Sequence, residues 1–390
     1  MIKLYLKPGK EKVIRRGHPW LFSGAIQRVA GVASPGDIAA VCDHRGITLA
    51  KAFYNHQSDI ACRILTLHPE EEIDAAFWRQ RLLNAINLRQ RLVPDRTNGY
   101  RVVNADGDYM PGLVVDLYND TMVISISTMG MERCRPVVLQ MLKEVLPVDF
   151  IYERSEGKSR KREGLAEQGG WLSSAKPDPV VITENGLCFQ ADVAHGQKTG
   201  FFLDQRDNRS LLGSLSRGLE VLNCFSYSGG FSVYAVKGGA TRVTSIDVSA
   251  SANLLAEKNY ALNEIDKSRH PIETADVFEY LRHNKEKNDL IILDPPAFAK
   301  TQKDVEQASR GYKDINLQAI RKLKANGFLM TFSCSNHMTE ELFGRVVSAA
   351  VQDAGRSAQV LRVLGPGPDH PHLLAHPEGR YLKGLLLRIV

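Results

Sequence analysis

The spacing of apolar residues changes character twice along the 390 residues. From residue 1 to about 70 the apolar runs are short and broken by glycine: "PWLFSGAIQRV", "GDIAAVCDHRG", "ITLAKAFYN" and "IACRILT". Short strands with turn signals at this interval predict a small β-barrel rather than a βαβ unit. Residues 71–93, "EEIDAAFWRQRLLNAINLRQRLV", return to an apolar position every three or four residues, with acids early and arginines late, and predict a helix. Strand-like runs follow over 100–127, then a helical stretch over 131–146 and a further strand, "DFIYERS", so that 71–185 reads as an α+β segment. Its stretch 154–170, rich in glycine and charge, is expected to be a mobile loop. Beyond about residue 186 apolar strands alternate regularly with helices, from "GLEVLNCFSYSGGFSVYAVKGGATRVTSIDVSASANLLAEKNYALN" to "LFGRVVSAAVQDAG". That alternation predicts an α/β domain over 186–390, a doubly wound parallel sheet with ligands at the carboxyl ends of its strands.

Composition narrows the class. Hydrophobic residues at 43% and charged residues at 24% are those of a globular protein rather than a disordered one. No apolar run reaches the roughly 18 residues of a membrane span, and the first 20 residues lack a signal-peptide core, so a cytoplasmic protein without a membrane partner is expected. Six cysteines lie far apart with no CxxC pair, which argues against a disulfide framework and against a zinc site. His370, His372 and His376 sit in a proline-broken stretch that reads as a loop, not a metal centre. The net charge of +6 is modest, but it gathers in two runs, "KPGKEKVIRR" (7–16) and "RSEGKSRKREG" (154–164). Either run alone reads as a solvated face; two of them point to a polyanionic partner.

Four strand ends of the last segment carry candidate chemistry. "VLNCFSYSGGFS" runs from a strand through a turn containing Gly229 and Gly230 into a helix, a place where a ligand can approach the backbone. The turn has neither of the common phosphate-cradling patterns, which suggests a ligand without a phosphate. Asp247 ends "VTSIDVS" 17 residues after Gly230, where doubly wound folds place an acid on a ribose. Asp276 in "ETADVFEYL" is suited to accept from an adenine amino group, and "DLIILDPPAF" delivers Asp294 with Pro295 and Pro296 to the same edge. Each acid alone reads equally as a helix cap. Three of them in register after a glycine turn form a pattern.

This pattern resembles the class I S-adenosylmethionine-dependent methyltransferases, and "DPPAF" resembles their nucleic-acid branch. With "RRGHPWLFSGAI", "HGQKTGFFLDQRDNR", "NCFSYSGGFSVYA", "FSCSNHM" and "HPEGRYLKGLLLRI" added, the chain resembles, from end to end, the ribosomal RNA large subunit methyltransferase I family, which forms 5-methylcytosine in 23S rRNA. The resemblance implies a PUA RNA-binding domain over 1–70, a central EEHEE domain over 71–185 and a Rossmann-like methyltransferase domain over 186–390. It implies S-adenosylmethionine as cofactor, 23S rRNA as substrate and no metal. For the cofactor it implies Asn223, Phe225, Tyr227, Gly229, Gly230 and Asp247 around the amino acid part and ribose, Asp276 at the adenine, and Gln205 and Arg206 closing the site. Many such enzymes carry an acid at the position of Asn223 and a GxG turn, which this chain replaces.

The resemblance also gives Cys334, in "MTFSCSNH", a purpose. C5 of cytosine is a poor nucleophile, and thiolate attack on C6 converts the ring to an enamine-like species that accepts a methyl group at C5. Asp294 is then expected on the N3 and amino edge of the base. The second cysteine that better-known cytosine methyltransferases carry after a motif proline is absent, since Ala297 follows Pro296. Three rival readings remain open on residues alone: a guanine-N methyltransferase of the same fold, a uracil-C5 enzyme, and an RNA-binding module with a vestigial Rossmann domain.

Overall fold

The computed structural model describes residues 2–176 and 179–390, which divide into two compact units. The first runs to Ile182 and takes in Ala191–Phe201 and Pro368–Gly379; the second comprises Thr183–Gln190, Phe202–Gly367 and Arg380–Val390.

The first unit contains two sheets. A six-stranded sheet has the order Trp20–Leu21, Cys62–Thr66, Thr48–Tyr54, Asp37–Cys42, Ile2–Leu6, Ile26–Ala30. Ile2–Leu6 lies parallel to Asp37–Cys42, with Lys3 opposite Ala40, and buries Leu4 and Leu6 in the core. The second sheet has five strands in the order Gln168–Trp171, Phe150–Ser155, Thr121–Ile126, Leu113–Tyr118, Gly99–Asn104. Helices Ala75–Leu92 and Met129–Val145 supply Trp78, Leu82, Val138 and Leu142 to a core shared with that sheet. Asp74 caps the first helix by accepting from the Phe77 backbone N–H, which satisfies one of its orphan donors.

The expected mobile loop at 154–170 is corrected by the structure. Ser155 closes one strand, Lys158–Arg162 forms a helical turn and Gln168 begins the edge strand. Arg160 anchors the stretch: it is fully buried and donates to Glu132, to the Ile126 carbonyl and to the Ala166 carbonyl. A buried arginine with three acceptors is a structural tie, a role that glycine and charge content do not reveal.

The second unit is built on a seven-stranded sheet. In chain order its elements are helix α1 (Arg206–Leu215), strand β1 (Glu220–Cys224), α2 (Gly230–Lys237), β2 (Arg242–Asp247), α3 (Ala250–Leu262), β3 (Ile272–Thr274), α4 (Val277–His283), β4 (Asn288–Leu293), α5 (Val305–Lys322), β5 (Leu323–Ser333), α6 (Glu340–Asp353), β6 (Ala358–Leu364) and β7 (Lys383–Ile389). The sheet order is β3-β2-β1-β4-β5-β7-β6; β7 alone is antiparallel to its neighbours. Alternate residues serve opposite faces, as the strand period requires. Leu222, Cys224, Ile291 and Leu293 pack with α5 and α6, whereas Val221, Leu290 and Ile292 pack with Leu212 of α1 and Phe231 of α2. The strand order reverses at β1 and β4, which opens a crevice beyond their carboxyl ends. No helix among the described residues is long and apolar enough to cross a membrane.

Candidate active site

The turn between β1 and α2 is the most contorted backbone of the second unit. Phe225, Tyr227 and Gly229 all have positive φ, at 58°, 45° and 73°. Two of the three are not glycine, and such residues hold left-handed conformations only where the surroundings compel them. The Tyr227 N–H donates to Asp247 Oδ2 at 2.8 Å, the Ser226 N–H to the Ile246 carbonyl at 3.0 Å, and Asn259 Nδ2 reaches the Ser228 carbonyl at 2.8 Å. Gly229 is required twice over, because a Cβ there would also meet the Ala256 Cβ at 3.0 Å. Gly230 clears the way for Arg209, whose Cδ would lie 3.1 Å from an added Cβ.

Beneath the turn lies a buried polar network. Asn223 is fully buried, and its Nδ2 donates to Ser232 Oγ at 2.9 Å. Ser232 and Ser245 share a 2.7 Å hydrogen bond, and Ser245 meets the Tyr260 hydroxyl at 3.0 Å. Asn223 Oδ1 and Ser226 Oγ are buried with no hydrogen-bond partner among the described residues. Buried polar atoms normally have partners, so these two mark a site that a polar ligand would complete. A second buried tie sits next to it. Arg209 grips Glu184 through Nε and a terminal nitrogen at 2.8 and 2.6 Å, and Tyr234 adds a hydroxyl at 3.0 Å. Burial is the largest single influence and pulls the Arg209 guanidinium down, but the Glu184 charge and hydrogen bonds together with the Tyr234 and Asp204 charges outweigh it and hold the guanidinium more firmly protonated than usual.

The acids at the strand ends take different roles. Asp247 accepts from the Tyr227 and Ser249 backbone N–H groups, at 2.8 and 2.9 Å, and remains half-buried at the mouth of the turn. Asp276 is exposed and caps α4 by accepting from the Glu279 N–H at 3.0 Å, so the cap reading of this residue is realised whatever else it binds. Phe225 stands edge-on to Phe278 of α4, with ring centres 6.5 Å apart. Asp294, directly after β4, accepts from Gln205 Nε2 at 3.1 Å, and Gln205 Oε1 accepts from Asn208 at 2.6 Å. Arg206 is fully buried and donates to Asp207 at 3.2 Å. Gln205 and Asp294 thus meet at the β4 end, with Arg206 following Gln205 in the chain, while Asn223, Phe225, Tyr227, Gly229, Gly230 and Asp247 surround the β1 end.

Cys334 occupies the first position after β5, where "SCS" turns out of the sheet. Its sulfur lies 3.8 Å from the Pro295 carbonyl. Both flanking serines are fixed: Ser333 Oγ and Ser335 Oγ each meet the Tyr312 hydroxyl at 3.0 Å, and Ser335 Oγ also accepts from the Ala299 N–H at 3.2 Å. One tyrosine of α5 therefore pins the residue before and the residue after the cysteine, and a serine clips the cysteine turn to the "DPPAFA" loop. Lys383, the first residue of β7, pairs across the ladder with Ser333 and donates to the Ser335 and Tyr381 carbonyls, both at 2.7 Å.

Reading the sequence missed Tyr312, Lys383, Asn259 and the Glu184–Arg209 pair. A visible signal existed only for Lys383: a cation placed directly before the apolar run "GLLL". The others act through tertiary contacts that no local pattern announces.

Comparison with known proteins gives two family matches. Residues 4–67 match a PUA-like domain, and residues 158–339 match an S-adenosylmethionine-dependent methyltransferase domain. A protein of Tolumonas auensis named ribosomal RNA large subunit methyltransferase I is 43% identical over 99% of each chain. One of Aeromonas salmonicida with the same name is 43% identical over 99% of this chain and 98% of its own. Among solved structures, a Streptococcus mutans protein assigned as a SAM-dependent methyltransferase superposes with a TM-score of 0.85 at 24% identity over the full length of both chains, a likeness of fold.

Proposed function

The chain belongs to the ribosomal RNA large subunit methyltransferase I family, and from that premise we propose that it methylates C5 of a cytosine in 23S rRNA through a bond between Cys334 and C6 of the base. Its coarser description is an S-adenosylmethionine-dependent rRNA large subunit methyltransferase with a PUA-like domain. The observation that carries the finer reading is the clamped Cys334: a thiol fixed on both sides and tied to the loop that presents Asp294.

S-adenosylmethionine, when bound, supplies an electrophilic methyl group. The residues around the β1 turn fit such a cofactor. Asp247 stands where ribose hydroxyls would be held, Asp276 and Phe225 border the place for adenine, and the orphaned Ser226 hydroxyl offers a further contact. Gly229 and Gly230 let the turn pack closely on Ala256 and Arg209, which shapes it for the amino acid part. Asn223 lies beneath, and its unpartnered Oδ1 offers an acceptor to a polar group of the amino acid part.

In the proposed reaction the Cys334 thiolate adds to C6, forming the S–C6 bond and leaving C5 electron-rich. Asp294, oriented by Gln205, binds the N3 and amino edge of the base. C5 would then take the methyl group and give up its proton to a base other than a second cysteine, such as water, re-forming the C5–C6 double bond as the thiolate departs. A guanine-N or uracil-C5 reaction would leave Cys334 idle or change the product. Nucleoside analysis of methylated rRNA tests this directly, with a Cys334→Ala variant beside the native enzyme. Loss of 5-methylcytosine in the variant is expected; retained methyl transfer would overturn the covalent route.

The division at residues 70 and 185 is part of the same reading. It assigns the first segment to RNA capture through Lys7, Lys10, Lys12, Arg15 and Arg16, all exposed. Lys158, Lys161 and Arg162 remain exposed candidates in the second segment; Arg160 is withdrawn because it is buried in its ion pair. A base must leave its stack to be methylated, and phosphate contacts elsewhere offset that cost.

A further inference from the structure

Cys334 can attack only as a thiolate, and the groups nearest its sulfur do not explain how one would form. The Pro295 carbonyl accepts from the thiol and so favours its protonated state. The Tyr312 hydroxyl is engaged by two serines, and burial pushes its own ionisation up. Arg380 and Glu340 lie nearby but neutralise each other in a 2.6 Å ion pair. Tyr381 donates to Asp204, and Asp294 is held by Gln205.

Lys383 is a cation of a different kind, tied to the cysteine turn itself. Its side chain is only 4% exposed, in a strand whose other inward positions are apolar. An ammonium has three donors; here one goes to the Ser335 carbonyl, directly after Cys334, and one to the Tyr381 carbonyl. Both contacts hold it at the cysteine turn, and the Lys383 and Cys334 charges act on each other, each favouring the other's ionised form. A buried lysine is costly to keep at an inward position of an otherwise apolar strand.

We propose that Lys383 is the positioning residue that holds Cys334 as a thiolate, its ammonium supplying a buried positive charge at the cysteine turn. The group is suited to the task at neutral pH. Burial lowers its proton affinity from the ordinary 10.5 to about 8, with the Cys334 charge opposing that fall, so at pH 7 it is still mostly ammonium. The proposal rests on the reading of Cys334 as the nucleophile, but its test needs neither RNA nor methyl transfer.

The experiment is the rate of Cys334 alkylation by iodoacetamide as a function of pH, followed by mass spectrometry of the peptide carrying that residue, in the full-length protein. In Lys383→Met the midpoint of the profile should rise by about one pH unit or more, with alkylation at pH 7 roughly tenfold slower, because only the thiolate reacts. Lys383→Arg keeps the charge and should hold the native midpoint. Binding of S-adenosylhomocysteine checks that each variant is folded, and Lys383→Gln carries the same test if the methionine variant is not. An unchanged midpoint in the uncharged variants would overturn the proposal, as would an arginine variant shifted as far as the methionine one. A Cys334→Ala enzyme that still methylates rRNA would refute the covalent route while leaving the alkylation result intact, so the two failures are distinguishable.

Discussion

Replacing Asp247 by alanine removes the acceptor that holds the β1 turn in its strained form. Two backbone donors converge on its carboxylate, Tyr227 at 2.8 Å and Ser249 at 2.9 Å. Charge-assisted bonds of this kind are worth about 1.5–3 kcal/mol each. Asp247 is half-exposed, so water would take over part of the loss, and a net cost of about 2–4 kcal/mol is expected. That cost divides between folding and ligand binding. Phe225 and Tyr227 at positive φ each store roughly 1–2 kcal/mol, and without Asp247 the turn can relax away from the shape a ligand needs. S-adenosylhomocysteine affinity, measured by calorimetry, should fall about 10–100-fold, or about 1.4–2.7 kcal/mol. Urea denaturation should report the remainder. Asp247→Asn retains one acceptor oxygen for the Tyr227 N–H and should lose less affinity than the alanine variant. Unaltered affinity in Asp247→Ala would refute the reasoning, since it would mean that neither the turn nor the ligand depends on this carboxylate.

Other expectations follow from the same geometry. Tyr312→Phe removes the hydroxyl that joins Ser333 to Ser335 without opening a cavity; stability should drop by about 1–3 kcal/mol and turnover by more than tenfold, while S-adenosylhomocysteine binding stays native. Glu184→Gln leaves Arg209 buried without its counter-charge and should cost about 3–5 kcal/mol in urea denaturation. His270 accepts from the Val243 N–H at 3.1 Å, and burial lowers its proton affinity below the ordinary 6.5. Below pH 6.5 the unfolded chain therefore binds more protons than the folded one, so stability should fall with acidification from there; the difference between native protein and His270→Gln should flatten that slope. Lys12→Ala and Arg16→Ala should each reduce the salt dependence of RNA binding by about one unit, whereas Arg160→Ala should lower stability and leave that slope unchanged.

The doubly wound sheet was legible because its strands are continuous apolar runs and its turns carry glycine, patterns set by neighbours in sequence. Asp247, Asp294 and Cys334 were visible for the same reason: each ends a strand. What could not be read was the frame that aims them. Tyr312 sits mid-helix 22 residues before Cys334 and resembles any half-polar core residue until α5 packs against β5. Arg160 lay in a run of charges that composition alone assigns to solvent, yet the Glu132 side chain, the Ile126 carbonyl and the Ala166 carbonyl of its own stretch draw it inside. Asp276 took the helix-capping role that its spacing equally allowed. Sequence period reports which face a residue lies on; it does not report which distant hydrogen bond will claim a polar group already on that face.

The position of β7 in the sheet has a consequence for synthesis. β5 pairs on one side with β4, but its other neighbour is not the next strand to be made: residues 383–389 must arrive before that edge closes, 50 residues after Ser333. At a translation rate of roughly 5–20 residues per second the ribosome needs about 3–10 s to deliver them. Throughout that interval "FLMTFS" presents unpaired backbone groups and alternating large apolar side chains, the kind of edge that recruits foreign strands. The same late strand brings Lys383 to the cysteine turn, so the nascent enzyme is both adhesive and chemically unfinished until its closing segment is threaded in. Nascent chains stalled between residues 340 and 380 should accordingly be trapped by chaperones that recognise extended apolar segments.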